Sequence, residues 1–106
     1  MPKYLFHGSY TEEGLKGLLK DGGTKRMEET KKAVESLGGK FEAYYFAFGD
    51  NDFYLIADIP DSVSAIAGSL TVNVSGAVKA KITVLITPDE VDQAVKKTMA
   101  WRPPGQ

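Results

Sequence analysis

The chain has 106 residues, of which 42% are hydrophobic and 25% charged, with a formal net charge of −1 and no cysteine. A chain of this size and composition makes one globular domain that buries roughly two-thirds of its unfolded surface, enough to fold without metal or disulfide. Disulfides, thiolate nucleophiles, zinc ribbons and iron–sulfur clusters are excluded by the missing cysteine, and the balanced charge gives no electrostatic reason to bind nucleic acid or an anionic membrane.

Tyr4 to Tyr10 is rich in aromatics and reads as a strand. Thr11 is placed to cap a helix, with Glu12 and Glu13 in the first turn, where the backbone dipole favours acids. Leu15, Leu18 and Leu19 fall on one helical face, and then Gly22-Gly23 interrupts the pattern. Two glycines together cost roughly 2 kcal/mol relative to alanine inside a helix, so the spacing predicts two helical pieces. Met27, Thr30, Val34 and Leu37 mark the second piece, which Gly38-Gly39 ends. Lys40 to Phe48 reads as a second strand, Gly49-Asp50-Asn51-Asp52 as a hairpin turn, and Phe53 to Ile59 as a third strand. Pro60 stops that strand and Asp61 caps a helix whose apolar stripe is Val63, Ile66, Ala67, Leu70 and Val74. After Gly76, Val78 to Thr87 alternates as a fourth strand, and Thr87-Pro88-Asp89-Glu90 is a capping box that opens a short amphipathic helix. Residues 1–100 are expected to form a single domain, with residues 101–106 as a C-terminal tail. No apolar run approaches the ~20 residues of a membrane span, and Met1-Pro2-Lys3 leads straight into a strand without a signal-peptide core, so the expected location is cytoplasmic.

The order strand, helix, strand, strand, helix, strand, short helix predicts an α+β, ferredoxin-like βαββαβ sandwich with a short C-terminal helix. Several pieces of the chain together resemble the GYD domain family: Ser9-Tyr10-Thr11 followed by Gly14, Arg26, Leu37-Gly38-Gly39-Lys40, Phe48-Gly49-Asp50-Asn51-Asp52, Pro60-Asp61, Ser75-Gly76-Ala77-Val78 and Thr87-Pro88-Asp89-Glu90. The resemblance runs from Tyr4 to about Lys97. It implies a dimeric α/β-barrel-type fold and no established activity. One departure is Asn51, which stands where the family carries its namesake tyrosine.

Strand alternation sorts the side chains by face. In the fourth strand Val78, Ala80, Ile82, Val84 and Ile86 face the helices, leaving Lys79, Lys81, Thr83, Leu85 and Thr87 on the far side. In the third, Phe53, Leu55, Ala57 and Ile59 are the apolar set, against Asp52, Tyr54, Ile56 and Asp58. The second divides into Phe41, Ala43, Tyr45 and Ala47, against Glu42, Tyr44, Phe46 and Phe48; in the first, either Tyr4, Phe6, Gly8 and Tyr10 or Lys3, Leu5, His7 and Ser9 can face the helices. A far face carrying Ile56, Phe46, Phe48, Tyr44 and Tyr54 would leave an apolar patch in a monomer, which a homodimer or higher homo-oligomer would bury. A partly polar cavity between the two sheets can then hold a small molecule.

His7, the only histidine, is the candidate acid or base, with a solvated or structural strand histidine as its alternative. Candidate ligand-binding residues are Tyr44, Asp52, Tyr54, Lys81 and Thr83. The tyrosines can donate hydrogen bonds or simply pack at an interface. Asp52 can accept a ligand proton or bind turn amides, and Lys81, like Lys79, can meet a carboxylate or guard a strand edge. Arg26 can reach an acidic group across the fold, with an intradomain salt bridge as the plainer reading. With one histidine, no phosphate-binding glycine loop and no nucleophile elbow, no metal and no cofactor are expected. Two readings follow. One is a small-molecule binding protein or cofactor-free enzyme working by proton transfer or oxygenation; the other is a non-catalytic dimeric interaction or regulatory module with a packed interface.

Overall fold

The computed structural model describes residues 1–106. Its elements are β1 (Lys3–Tyr10), α1 (Glu12–Asp21), α2 (Gly23–Ser36), β2 (Lys40–Phe46), β3 (Phe53–Asp58), α3 (Ser62–Val74), β4 (Val78–Leu85) and α4 (Pro88–Ala94). The strands form one antiparallel sheet in the order β2-β3-β1-β4, an α+β fold with the ferredoxin-like arrangement. The signals that mark the element ends act as their chemistry requires. Thr11 accepts the Gly14 amide at 3.2 Å, Gly22 separates α1 from α2 with φ +82°, and Thr87 and Glu90 cap each other's backbone amides.

Tyr4, Phe6, Leu55 and Ala57 alternate along the two central strands and form one buried cluster with Val34 of α2 and Ala65 of α3, while Phe53, also buried on that side, lies outside the cluster. This settles the first strand, whose aromatic set faces the helices. In β2 the alternation breaks. Phe41 lies opposite Ala57, but Ala43 lies opposite Ile56, so two steps along β2 match one step along β3 and Glu42 is the extra residue of a bulge. Beyond the bulge Tyr44 pairs with Leu55 and Phe46 with Phe53, which puts both on the helix side; strict alternation had put them on the far side. Lys3 of β1 forms ion pairs with Asp58 of β3, at 3.0 Å, and with Glu42, tying the bulge to the central strands. Phe48 lies past the end of β2, fully exposed in the turn, and does not belong to the far face either.

The stripe on α3 also points the other way from the sequence pattern. Ala65 is 1% exposed, whereas Val63, Ile66 and Leu70 are 75%, 53% and 66% exposed. Ser62–Val74 has no charged residue to mark a solvent side. Its small face can approach most closely, since a Cβ on Gly68 would lie 3.1 Å from the Leu37 side chain. At the end of the helix the Asn73 side chain accepts from the Ala80 amide at 2.8 Å and donates to the Ala80 carbonyl at 3.1 Å, fixing α3 to β4.

Beyond Leu85 the chain leaves the body. Val91, Val95, Met99 and Trp101 are all exposed. The radius of gyration is 17.0 Å, against about 13 Å for a compact chain of this length.

Asp61 accepts the Ser64 amide at 2.7 Å, and the hydrogen bonds at this helix start hold its carboxyl below its ordinary value of 3.8. A depressed folded-state value means that the cap stabilises above pH ~4 and that this contribution is lost as the pH falls through the folded value. Asp61→Ala should therefore lower the urea midpoint at neutral pH, with the gap to wild type closing in acid. A gap of constant size across that range would show that the carboxylate charge plays no part.

Candidate functional site

The bulge sorts the polar and aromatic side chains into two groups on opposite sides of the sheet. On the open face His7 is the centre. Its Nδ1 lies 3.3 Å from Asn51 Oδ1 and its Nε2 lies 2.9 Å from Thr83 Oγ1. An amide oxygen can only accept, so the network assigns the ring proton to Nδ1, and Nε2 then accepts from the Thr83 hydroxyl. Asn51 Nδ2 donates to the Tyr54 hydroxyl at 3.2 Å, and the Tyr54 ring stacks on His7 with centroids 6.3 Å apart. Lys81 lies opposite His7 on β4, exposed and outside the ion pairs of the fold. Leu5, Ile56 and Leu85 share this face, half-buried, and Tyr45 is exposed on it.

On the other side a pocket of about 440 Å³ lies between the sheet and the helices. Phe6, Tyr44, Phe53 and Leu55 form its floor, Gly14, Gly17 and Leu18 of α1 one wall, and Thr71 and Val72 of α3 another, with Arg26 and Thr30 reaching in from α2. The glycines shape it. A Cβ on Gly14 would lie 2.0 Å from the Ala77 carbonyl oxygen, so α1 can close on the α3–β4 turn only there. A Cβ on Gly17 would meet nothing within 4 Å, and that open space belongs to the pocket rim.

Within the pocket the Tyr10 and Tyr44 hydroxyls are 2.7 Å apart. Tyr44 stacks on Phe53 and meets Phe46 edge-on, so its ring is held from two sides. Burial raises the pKa of both phenols, and for Tyr44 the hydrogen bond shared with Tyr10 adds to the rise. Both are therefore protonated hydrogen-bonding groups at neutral pH. No carboxylate lies within ion-pairing distance of Arg26, so the expected intradomain salt bridge is absent.

The sequence candidates thus part company. His7, Tyr54 and Thr83 come together on the open face with Lys81 beside them. Tyr44 sits on the opposite side, because the Glu42 bulge reverses its direction. Asp52 joins neither group: its carboxylate accepts the Tyr10 amide at 2.9 Å, and its own amide donates to Gly8 at 2.7 Å, so it sews the hairpin to β1. Asn51, Tyr10 and Gly17 were not among the candidates. Asn51 carried a signal as the departure from the family's tyrosine, and Tyr10 as part of Ser9-Tyr10-Thr11; Gly17 carried none. No group of three His, Asp or Glu side chains converges as a metal site requires.

The family model described as GYD domain matches residues 4–95. No curated protein and no solved structure matches the chain.

Replacing Tyr44 by Phe keeps the ring stack but leaves the Tyr10 hydroxyl without its partner in a half-buried site. The expected loss is about 1 kcal/mol of stability by urea unfolding, and an unchanged midpoint would mean that the two hydroxyls are not bonded in solution.

Proposed function

The chain belongs to the GYD domain family, and on that scaffold we propose that it is a homodimeric protein that binds a small organic molecule in the pocket between its sheet and its helices. The observation that carries the reading is the pocket itself. Its roughly 440 Å³ falls within the range of small-ligand sites, its floor is aromatic and aliphatic, and a few polar groups converge on it. The space is a cleft open on one side and lined mostly by apolar side chains, the common form of a small-molecule site.

Dimerisation is supported by the open face. Leu5, Ile56, Leu85 and Tyr45 leave apolar surface there that a second sheet would cover. A second location for the ligand, between the two sheets, is favoured by the His7–Asn51–Tyr54–Thr83 cluster, a polar island within that apolar surface. In that reading His7 is the acid or base and Tyr54 orients the ligand.

Native mass spectrometry of freshly purified protein tests these points together. The expected species is a dimer carrying extra mass. Gly17→Leu should keep the dimer, lose the extra mass and gain up to about 1 kcal/mol of stability from helix propensity. If Gly17→Leu keeps the extra mass and His7→Ala loses it, the ligand lies between the sheets. An empty dimer from every preparation would favour the packed interaction module, and a monomer would sink the dimer.

A further inference from the structure

We propose that the ligand of the helix-side pocket is an organic carboxylate, its apolar body lying on Phe53 and Leu55 and its carboxylate meeting Arg26 and the Tyr10–Tyr44 hydroxyl pair. The proposal rests on the pocket reading above and adds the ligand's class.

The argument is an inventory of hydrogen-bond donors. Most hydroxyl protons around the pocket are already used by the backbone of their own helix. Thr30 donates to the Arg26 carbonyl at 2.9 Å, Thr71 to Ala67 at 2.8 Å and Ser75 to Val72 at 2.6 Å. The two phenols have two protons and spend one on the bond between them, which leaves one to give. Arg26 brings the planar donor fork of a guanidinium and has no carboxylate partner. Its positive charge is felt at both phenols, where it opposes part of the effect of burial. The unspent polar capacity at this end of the pocket is thus a cation and a neutral donor, the complement of a carboxylate.

The two acids on the pocket rim do not cancel this. Asp21 pairs with Lys25 at 3.7 Å. Glu13 stands two turns back along α1, about 12 Å from the Asp21 end, beside Gly76. A third carboxylate, Asp52, is felt at Tyr10 but is taken up by the Tyr10 amide at 2.9 Å, so Arg26 is the charged group at this end without an ion-pair partner, and the first turn of α2 contains no acid. The remaining walls, Leu18, Val72 and Val78 among them, are apolar and suit a ring or short aliphatic chain.

Three probes of one shape separate the possibilities: 2-naphthoate, its neutral amide, and the cationic 2-naphthylmethylamine. Titrations followed by calorimetry, with methyl shifts of Leu55 and Val72 to locate the site, should give the acid an advantage of roughly tenfold or more over the amide. In Arg26→Gln that advantage should disappear while the amide still binds as before. Arg26→Lys, which keeps the charge and loses the fork, should retain only part of it. Should Arg26→Gln fail to fold, Arg26→Lys and the wild-type ratio of acid to amide decide the matter. Equal binding of acid and amide, or preference for the amine, overturns the carboxylate assignment and leaves the pocket standing, provided that Gly17→Leu blocks all three. If no probe shifts Leu55 or Val72, the pocket reading falls, and the carboxylate with it.

Discussion

One extra residue in an edge strand decides what each side of this sheet is for. Without the bulge at Glu42, Tyr44 would stand on the open face beside Tyr54, and the floor below the helices would lack the hydroxyl that meets Tyr10. The bulge is held by charge as well as by backbone. Lys3 reaches across β3 to both Asp58 and Glu42, so three strands share one small ionic cluster at the point where the register slips. The pairs are partly exposed, and such pairs add little to global stability. Their effect here is on register, because a slip of one residue turns every side chain beyond it to the other face.

From that constraint follow two polar groupings of different character. On the open face His7, Asn51, Tyr54 and Thr83 largely satisfy one another, and the surrounding side chains are those a second sheet would cover. Below the helices the polar groups are fewer and less fully used, with an arginine that no side chain of the domain answers. A self-satisfied cluster fixes geometry, whereas an unsatisfied one has capacity left for something that arrives from outside.

The order of elements was legible because each end carries a residue with one physical reason to be there: Thr11, Asp61 and Thr87 as caps, and Gly22, Gly38 and Gly76 with positive φ. Faces were legible wherever strands keep strict alternation, as in β3 and β4. They were not legible in β2, since Phe41 to Phe48 is aromatic on both sets and nothing in its composition marks where the slip falls. The same is true of α3, where the close approach of small residues outweighs burial of the larger ones. The pocket was invisible for a related reason. It is lined from four strands and three helices, and Gly17 on its rim is notable for a side chain that it lacks.

Both edges of the sheet are interrupted. On β4 the Asn73 amide occupies the outward-facing backbone groups of Ala80, much as a neighbouring strand would, and on β2 the bulge spoils the regular row of donors and acceptors. An incoming extended peptide therefore meets Asn73 at Ala80 on one edge and the bulge at Glu42 on the other. Sideways growth into a continuous intermolecular sheet, the route by which exposed strands lead to filaments, meets an interruption at each edge. The apolar surface that the domain exposes therefore lies on its faces and helices, while each edge carries a feature that works against fibre-type pairing.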